Sequence, residues 1–263
     1  LGEQLLLAAN NIHQHRAAYE LCGTKYSDFE HIDLDVGLRQ KLMELDRKML
    51  EECERRFTIA KTTTQRLERF NGVRADPLYH PPQLAGRLRA GPYGDYVLSV
   101  GRLESIKRID LLLKAMPDVD PSLRLLVAGE GTQREHFEAV AEECGLNGRV
   151  EFMGRVDDET LLELYAGALA VAFVPYDEDY GLVTLEAFLA RKPVVTASDS
   201  GGTLEFVDDG ISGVVCAPEA DAVADALNRL AANRRLAASL GDAGYERARV
   251  ITWDSVIEKL VDA

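Results

Sequence analysis

The sequence has little of what many functions require. Its four cysteines, Cys22, Cys53, Cys144 and Cys216, are scattered, with no Cys-x-x-Cys and no adjacent histidine. That excludes a disulfide framework and a thiolate zinc site, and it fits a reduced, cytoplasmic chain, in solution or peripheral at a membrane. There are only five histidines. The spacing of His13 and His15 puts them on different helical faces, so no metal site is expected. No Ser-His-Asp or Cys-His constellation is recognisable. No run of about 18 apolar residues occurs, so no segment reads as a membrane span. The first residues, Leu1 to Ala9, show neither an initiator Met nor the basic flank of a signal peptide, and read as a chain entered partway through. Positive charge is also short: 30 Lys/Arg stand against 44 Asp/Glu, a formal net of −14. Residues 1–82 hold 12 against 13, which leaves 18 against 31 for residues 83–263. So acidic a second part would repel nucleic acid, whereas a small anion held by a few placed cations is still allowed.

What remains is a globular balance, 46% apolar and 28% charged over 263 residues, enough for one large or two small domains. Residues 1–56 are helical in character. Leu38, Leu42, Leu45, Met49 and Cys53 form an apolar stripe along 35–56. A short strand at 57–60 and a helix at 62–70 ended by Asn71-Gly72 follow. From Asp76 to Gly94 the breakers Pro77, Pro81, Pro82, Gly86, Gly91 and Pro92 mark an interdomain connector. From Tyr96 on, strand-like runs at 96–100, 123–128, 150–153, 169–174, 193–197 and 213–216 alternate with helical patterns near 107–116, 132–144, 158–167, 182–190 and 202–208. This alternation predicts an α/β fold with a doubly wound parallel sheet. About three helices complete the tail from Asp221.

The chemistry-bearing residues cluster just after these strands. Gly101-Arg102, Gly129-Glu130-Gly131, Gly154-Arg155 and Tyr176 to Gly181 each follow one, where open α/β sheets hold ligands. Arg102 and Lys107 bracket a strand-to-helix turn and suit a pyrophosphate, one as a planar fork and the other as a mobile point charge. Glu178 and Glu186 stand eight residues apart around the start of a helix, whose N–H groups and dipole favour an anion. Glu186 falls in the apolar stripe of Leu182, Leu185 and Leu189, so something polar should meet it there. Tyr176 and Tyr180 are candidates to stack on a base or sugar, or are packing residues. Gly129-Glu130-Gly131 lacks the third glycine of a dinucleotide fingerprint and reads as a tight turn.

Taken together, five pieces resemble the retaining, nucleotide-sugar-dependent glycosyltransferases of the GT-B fold, the glycogen-synthase-like and sucrose-synthase-like family 4. They are Ser99 to Lys107, Leu126 to Gly131, Val150 to Arg155, Glu178 to Glu186 and Ser200 to Glu205, in the family's order and approximate spacing. The resemblance covers roughly residues 57–263. It implies that Arg102 and Lys107 hold the donor diphosphate and act in catalysis with Glu178, which faces the donor sugar. Glu186 would bind the ribose, while Gly101, Gly129, Tyr180, Gly181 and Leu182 line the donor site and the backbone at Arg155 lies beside the base. The donor would be a UDP-, GDP- or ADP-sugar, with an unassigned acceptor and no metal or other cofactor. Residues 1–82 would be the remnant of an N-terminal, acceptor-side domain with a connector to about 94. Residues 95–245 would form the Rossmann-like donor domain, and 246–263 a last helix returning to the N-terminal part. Ala60 stands where the family usually has serine, and none of His13, His15 and His31 sits in a recognisable catalytic motif. Readings that share the fold are a nucleotide-sugar epimerase, a disaccharide phosphorylase and a non-catalytic nucleotide-sugar-binding module. The apolar stripe of Trp253, Val256, Ile257, Leu260 and Val261 is expected to be partly exposed, or covered by residues 1–56 or by another copy of the chain, which predicts self-association, and a partner chain could supply the acceptor domain.

Overall fold

The computed structural model describes residues 36–261, with side chains from Lys41 onward except Leu42 and Met43. His13, His15 and His31 therefore lie outside the described residues. The chain divides into two compact units, Leu1–Tyr79 and His80–Ala263.

In the first unit, helix α1 (Val36–Glu51) precedes a short parallel pair, β1 (Phe57–Thr58) and β2 (Asp76–Pro77), with α2 (Lys61–Asn71) between them. Gly72 closes α2 in the left-handed conformation, as the Asn71-Gly72 signal implied. The buried face of α1 is not the expected one. Leu50 packs with Leu67 and Val73, whereas Leu45 and Met49 of the expected stripe are exposed. A helix side follows the partner it meets, and here that partner is a small apolar cluster lying one position round from the stripe.

The second unit contains six parallel strands in the order β5-β4-β3-β6-β7-β8: β3 (Tyr96–Val100), β4 (Arg124–Ala128), β5 (Val150–Gly154), β6 (Ala170–Ala172), β7 (Val194–Ala197) and β8 (Gly213–Cys216). The strands read as near-continuous apolar runs because both faces of the sheet are covered. Helices α3 (Ile109–Ala115), α4 (Arg134–Glu143), α5 (Asp158–Gly167) and α6 (Leu182–Leu189) are the crossovers. Then α7 (Ala220–Ala232), α8 (Arg234–Ala248) and α9 (Trp253–Val261) follow β8. On one face α3 packs against α4 and α7; α6 packs against α8. The strand order steps outward from β3 to β5, then jumps back to β6. That reversal next to β3 opens the crevice at the carboxyl ends of β3 and β6.

Two expected helices come out shorter. The one expected near 107–116 is a 3-10 turn, Ser105–Lys107, then Arg108 in the left-handed conformation (φ 51°), then α3. The one near 202–208 is a 3-10 turn at Gly202–Glu205. Residues read as connector are fastened to the second unit. The fully buried Lys192 donates to the carbonyls of Gly91 and Pro92 (2.9 and 3.0 Å), and its ammonium stands 4.0 Å from the Tyr93 ring centroid. The Tyr93 hydroxyl donates to Arg191 O at 2.8 Å. Among the described residues, no helix is long and apolar enough to cross a membrane.

Candidate functional site

The loops after β3, β4 and β5 are tied together main chain to main chain. Gly101 N–H donates to Ala128 O (3.1 Å), Leu103 N–H to Glu130 O (2.9 Å) and Gly129 N–H to Gly154 O (2.9 Å). Gly129 must be glycine, because a Cβ there would fall 1.9 Å from Gly101 O. Arg102 and Arg155 rise from this floor. Both are exposed, and neither guanidinium makes a hydrogen bond or ion pair with any described residue. An unpartnered cation at the rim of a crevice keeps its donors available for an anion.

Opposite them, the loop after β6 carries Glu178. Its carboxylate pairs with the Lys107 ammonium, both side chains being mostly buried (19% and 14% exposed). The structure thus brings together two residues 71 positions apart that sequence placed separately on a strand-end crevice. The Lys107 ammonium also stands 5.5 Å from the Phe173 ring centroid. The Glu178 main chain is clamped by the loop after β7. Asp177 N–H donates to Asp199 O (2.9 Å), Glu178 N–H to Ser200 O (3.3 Å), and Gly202 N–H to Glu178 O (2.6 Å). A Cβ at Gly201 would lie 2.5 Å from Glu178 O, so here too the backbones touch.

Arg108 and Asp199 are the residues that sequence reasoning missed. The buried Arg108 guanidinium donates to Val174 O and Pro175 O (both 2.7 Å) and to both oxygens of Asp199 (2.6 and 2.8 Å). It joins the β3, β6 and β7 loops at one point, and Arg108 immediately follows Lys107 in the chain. The fork takes up the carbonyls of Val174 and Pro175 just past the end of β6.

Helix α6 begins at the crevice. Gly181 is its N-cap (φ 80°), and no side chain caps the helix. Leu182, its first residue, is 37% exposed. One turn in, Glu186 is half-buried and accepts a hydrogen bond from the Tyr165 hydroxyl at 2.6 Å. Burial raises the Glu186 pKa from its ordinary value, and the Tyr165 hydrogen bond opposes that rise. The polar partner expected for Glu186 thus exists within the protein, and it leaves one carboxylate oxygen uncommitted.

Tyr180 corrects an expectation. Its ring is buried against His80 (4.9 Å between centroids) and Phe206 (5.3 Å, edge-on), and its hydroxyl donates to His80 O at 2.6 Å. A ring held on both sides cannot stack on a base or sugar, so Tyr180 is a packing residue. On α9, Val256 is buried, whereas Trp253, Ile257 and Val261 are exposed by 55%, 54% and 75%. Among the described residues, no group of three or more His, Cys, Asp or Glu side chains converges as a metal site.

The model of the family of glycosyl transferases group 1 matches residues 89–247, more than half of the chain. The chain belongs to that family. Among similar curated proteins, an uncharacterized glycosyltransferase of Methanocaldococcus jannaschii is 30% identical over 179 residues, which cover 63% of this chain and 43% of that protein. D-inositol 3-phosphate glycosyltransferase of Nocardia farcinica is 30% identical over 251 residues, 89% of this chain and 55% of that protein. The chain spans about half the length of the curated relatives it matches. Two solved structures share the fold. Anabaena HepE in complex with UDP and glucose superposes with a TM-score of 0.77 at 19% identity, over 85% of this chain and 66% of that one. Sucrose-phosphate synthase from Thermosynechococcus elongatus gives 0.73 at 24% identity, over 96% and 64%. The α/β, GT-B type fold expected from the sequence is the one found.

Proposed function

We propose that this chain supplies the nucleoside-diphosphate-sugar site of a retaining glycosyltransferase. One observation carries the reading: the Lys107–Glu178 pair sits at the strand-end crevice beside the uncapped start of α6. The diphosphate lies against Arg102, Lys107 and the leading N–H groups of Gly181 and Leu182. These are positive groups fixed where negative charge grows as the leaving group departs, so the transfer needs no metal. Lys107 then answers to two anions, the diphosphate and Glu178. Glu178 faces the donor sugar, orienting its hydroxyls and stabilising an oxocarbenium-like centre. Glu186 accepts from the ribose. Gly101 and Gly129 let the diphosphate approach the backbone closely, and the main chain at Arg155 borders the base. Since solved structures of the same fold hold UDP, a UDP-sugar is the first donor to test. Inositol 3-phosphate, after the curated relatives, is the first acceptor. The acceptor site is assigned to parts outside the second unit, contributed by the rest of the protein or by another chain. The free thiols of Cys53, Cys144 and Cys216 agree with a cytoplasmic location, in solution or at a membrane surface.

Calorimetric titration with UDP, GDP and ADP in EDTA tests the reading, followed by the best of them on Arg102→Ala/Lys107→Ala. Each charge-assisted contact is worth roughly 1.5–3 kcal/mol, so the double variant should lose about a hundredfold or more in affinity while keeping its fold. Unchanged affinity in the folded variant, or binding that appears only with Mg²⁺ or Mn²⁺, overturns it.

A further inference from the structure

Tyr165 is fully buried near the end of α5, and its hydroxyl has one hydrogen-bond partner, the carboxylate of Glu186 on α6. Tyrosine brings a hydroxyl into a core only where it can be used, because an idle one is costly to desolvate. An apolar ring with no polar atom would fill the same space. The hydroxyl keeps its proton: burial and the neighbouring carboxylate both raise its pKa, well above the ordinary tyrosine value. It is therefore a fixed donor to one oxygen of Glu186. Held from below, the carboxylate cannot rotate freely, and its second oxygen is left toward the open side of the residue.

We infer that Tyr165 is a positioning residue for ribose recognition, holding the Glu186 carboxylate so that its free oxygen accepts from the ribose hydroxyls of the nucleotide. The inference rests on the placement of Glu186 at the ribose under Proposed function. It adds a residue 21 positions upstream, on a different helix, that never touches the ligand. It also adds a second action. Burial pushes Glu186 toward the neutral acid, the phenol opposes it, and no charged side chain among the described residues contributes. Tyr165 thus keeps the carboxylate ionised to lower pH, and an ionised acceptor makes the stronger hydrogen bond to a hydroxyl.

The test compares the tightest-binding of UDP, GDP and ADP with its 2′-deoxy counterpart on the whole chain. Wild type should prefer the ribonucleotide roughly tenfold, about the worth of one charge-assisted hydrogen bond. Tyr165→Phe should bind both forms but lose most of that preference, and what remains should disappear at a higher pH than in wild type. The direction follows because removing the donor raises the Glu186 pKa further. A purely structural role would weaken both nucleotides equally and leave their ratio and its pH midpoint unmoved, which overturns the inference. If wild type itself shows no preference, the placement of Glu186 at the ribose is what fails. Should Tyr165→Phe not fold, 3-fluorotyrosine at 165 keeps the shape and strengthens the donor. The pH midpoint should then move down, and an unmoved midpoint refutes the role.

Discussion

Removing the Arg108 fork should destabilise the second unit in a way that depends on the residue put in its place. Arg108→Ala deletes four side-chain hydrogen bonds and leaves the carbonyls of Val174 and Pro175 and the carboxylate of Asp199 without their donor. Breaking a buried ion pair from one side costs about 3–5 kcal/mol. The Asp199 side chain is 35% exposed and can recover some hydration, which puts the expected loss near the low end, about 3 kcal/mol. The backbone adds a second term. Arg108 sits at φ 51°, where a Cβ costs roughly 1–2 kcal/mol and glycine avoids that strain. Glycine gives back roughly 0.5–1 kcal/mol through the greater entropy of its unfolded chain. Arg108→Gly should therefore be the milder change, by about 0.5–1 kcal/mol, although it deletes more atoms. Urea unfolding of wild type and both variants measures this, the Ala variant having the lowest midpoint and all three sharing one slope. A glycine variant less stable than the alanine one refutes the strain assignment. Both variants within roughly 0.5 kcal/mol of wild type refute the role of the fork.

Three further outcomes follow from the same geometry. Gly129→Ala would drive a Cβ to 1.9 Å from Gly101 O, and should cost at least about 2 kcal/mol in unfolding while abolishing nucleotide binding by calorimetry; a stable, binding variant contradicts the backbone contact. Tyr180→Phe should cost about 1 kcal/mol in urea for the lost bond to His80 O and leave nucleotide affinity unchanged, and a large fall in affinity would return Tyr180 to the site. Burial lowers the Lys192 ammonium to about 8, so the folded protein holds fewer protons than the unfolded chain between there and the free lysine value of 10.5. The stability of wild type relative to Lys192→Met should accordingly rise from pH 8 toward pH 10 in thermal unfolding, and a flat or falling difference contradicts it.

The sheet was legible because parallel strands covered on both faces are continuous apolar runs. Tyr96–Val100 and Gly213–Cys216 coincide with their expected bounds, and the other four differ by a residue or two at their ends. The position of Arg102, Lys107 and Glu178 in loops just past strand ends was legible for the same reason, and the Lys107–Glu178 pairing was not. What escaped were features decided across long sequence separations. Arg108 sits where periodicity reads helix, but its conformation is set by acceptors 66, 67 and 91 residues away. Tyr180 has a sequence neighbourhood that suits a stacking residue, and its enclosure comes from His80, 100 positions back, and from Phe206. The face of α1 was misjudged because Leu38, Leu42, Leu45 and Met49 describe a stripe without saying which side a partner will cover. Glu186 was an intermediate case: the need for a polar partner was readable, but the identity of Tyr165 was not.

The main-chain knit beneath the crevice has a consequence for how such a protein changes. Gly101 N–H on Ala128 O, Gly129 N–H on Gly154 O and Leu103 N–H on Glu130 O fix the floor main chain to main chain, and the Glu104 carboxylate adds a clasp by accepting from the Thr132 N–H and hydroxyl (3.2 and 2.7 Å). Glu130 and Arg155 project from that floor into solvent. Replacing either therefore alters what the rim presents to solvent without disturbing what holds the rim in place. Foundation and projecting side chains are separable in this unit, so substitutions at positions 130 and 155 should leave its stability nearly unchanged in urea unfolding.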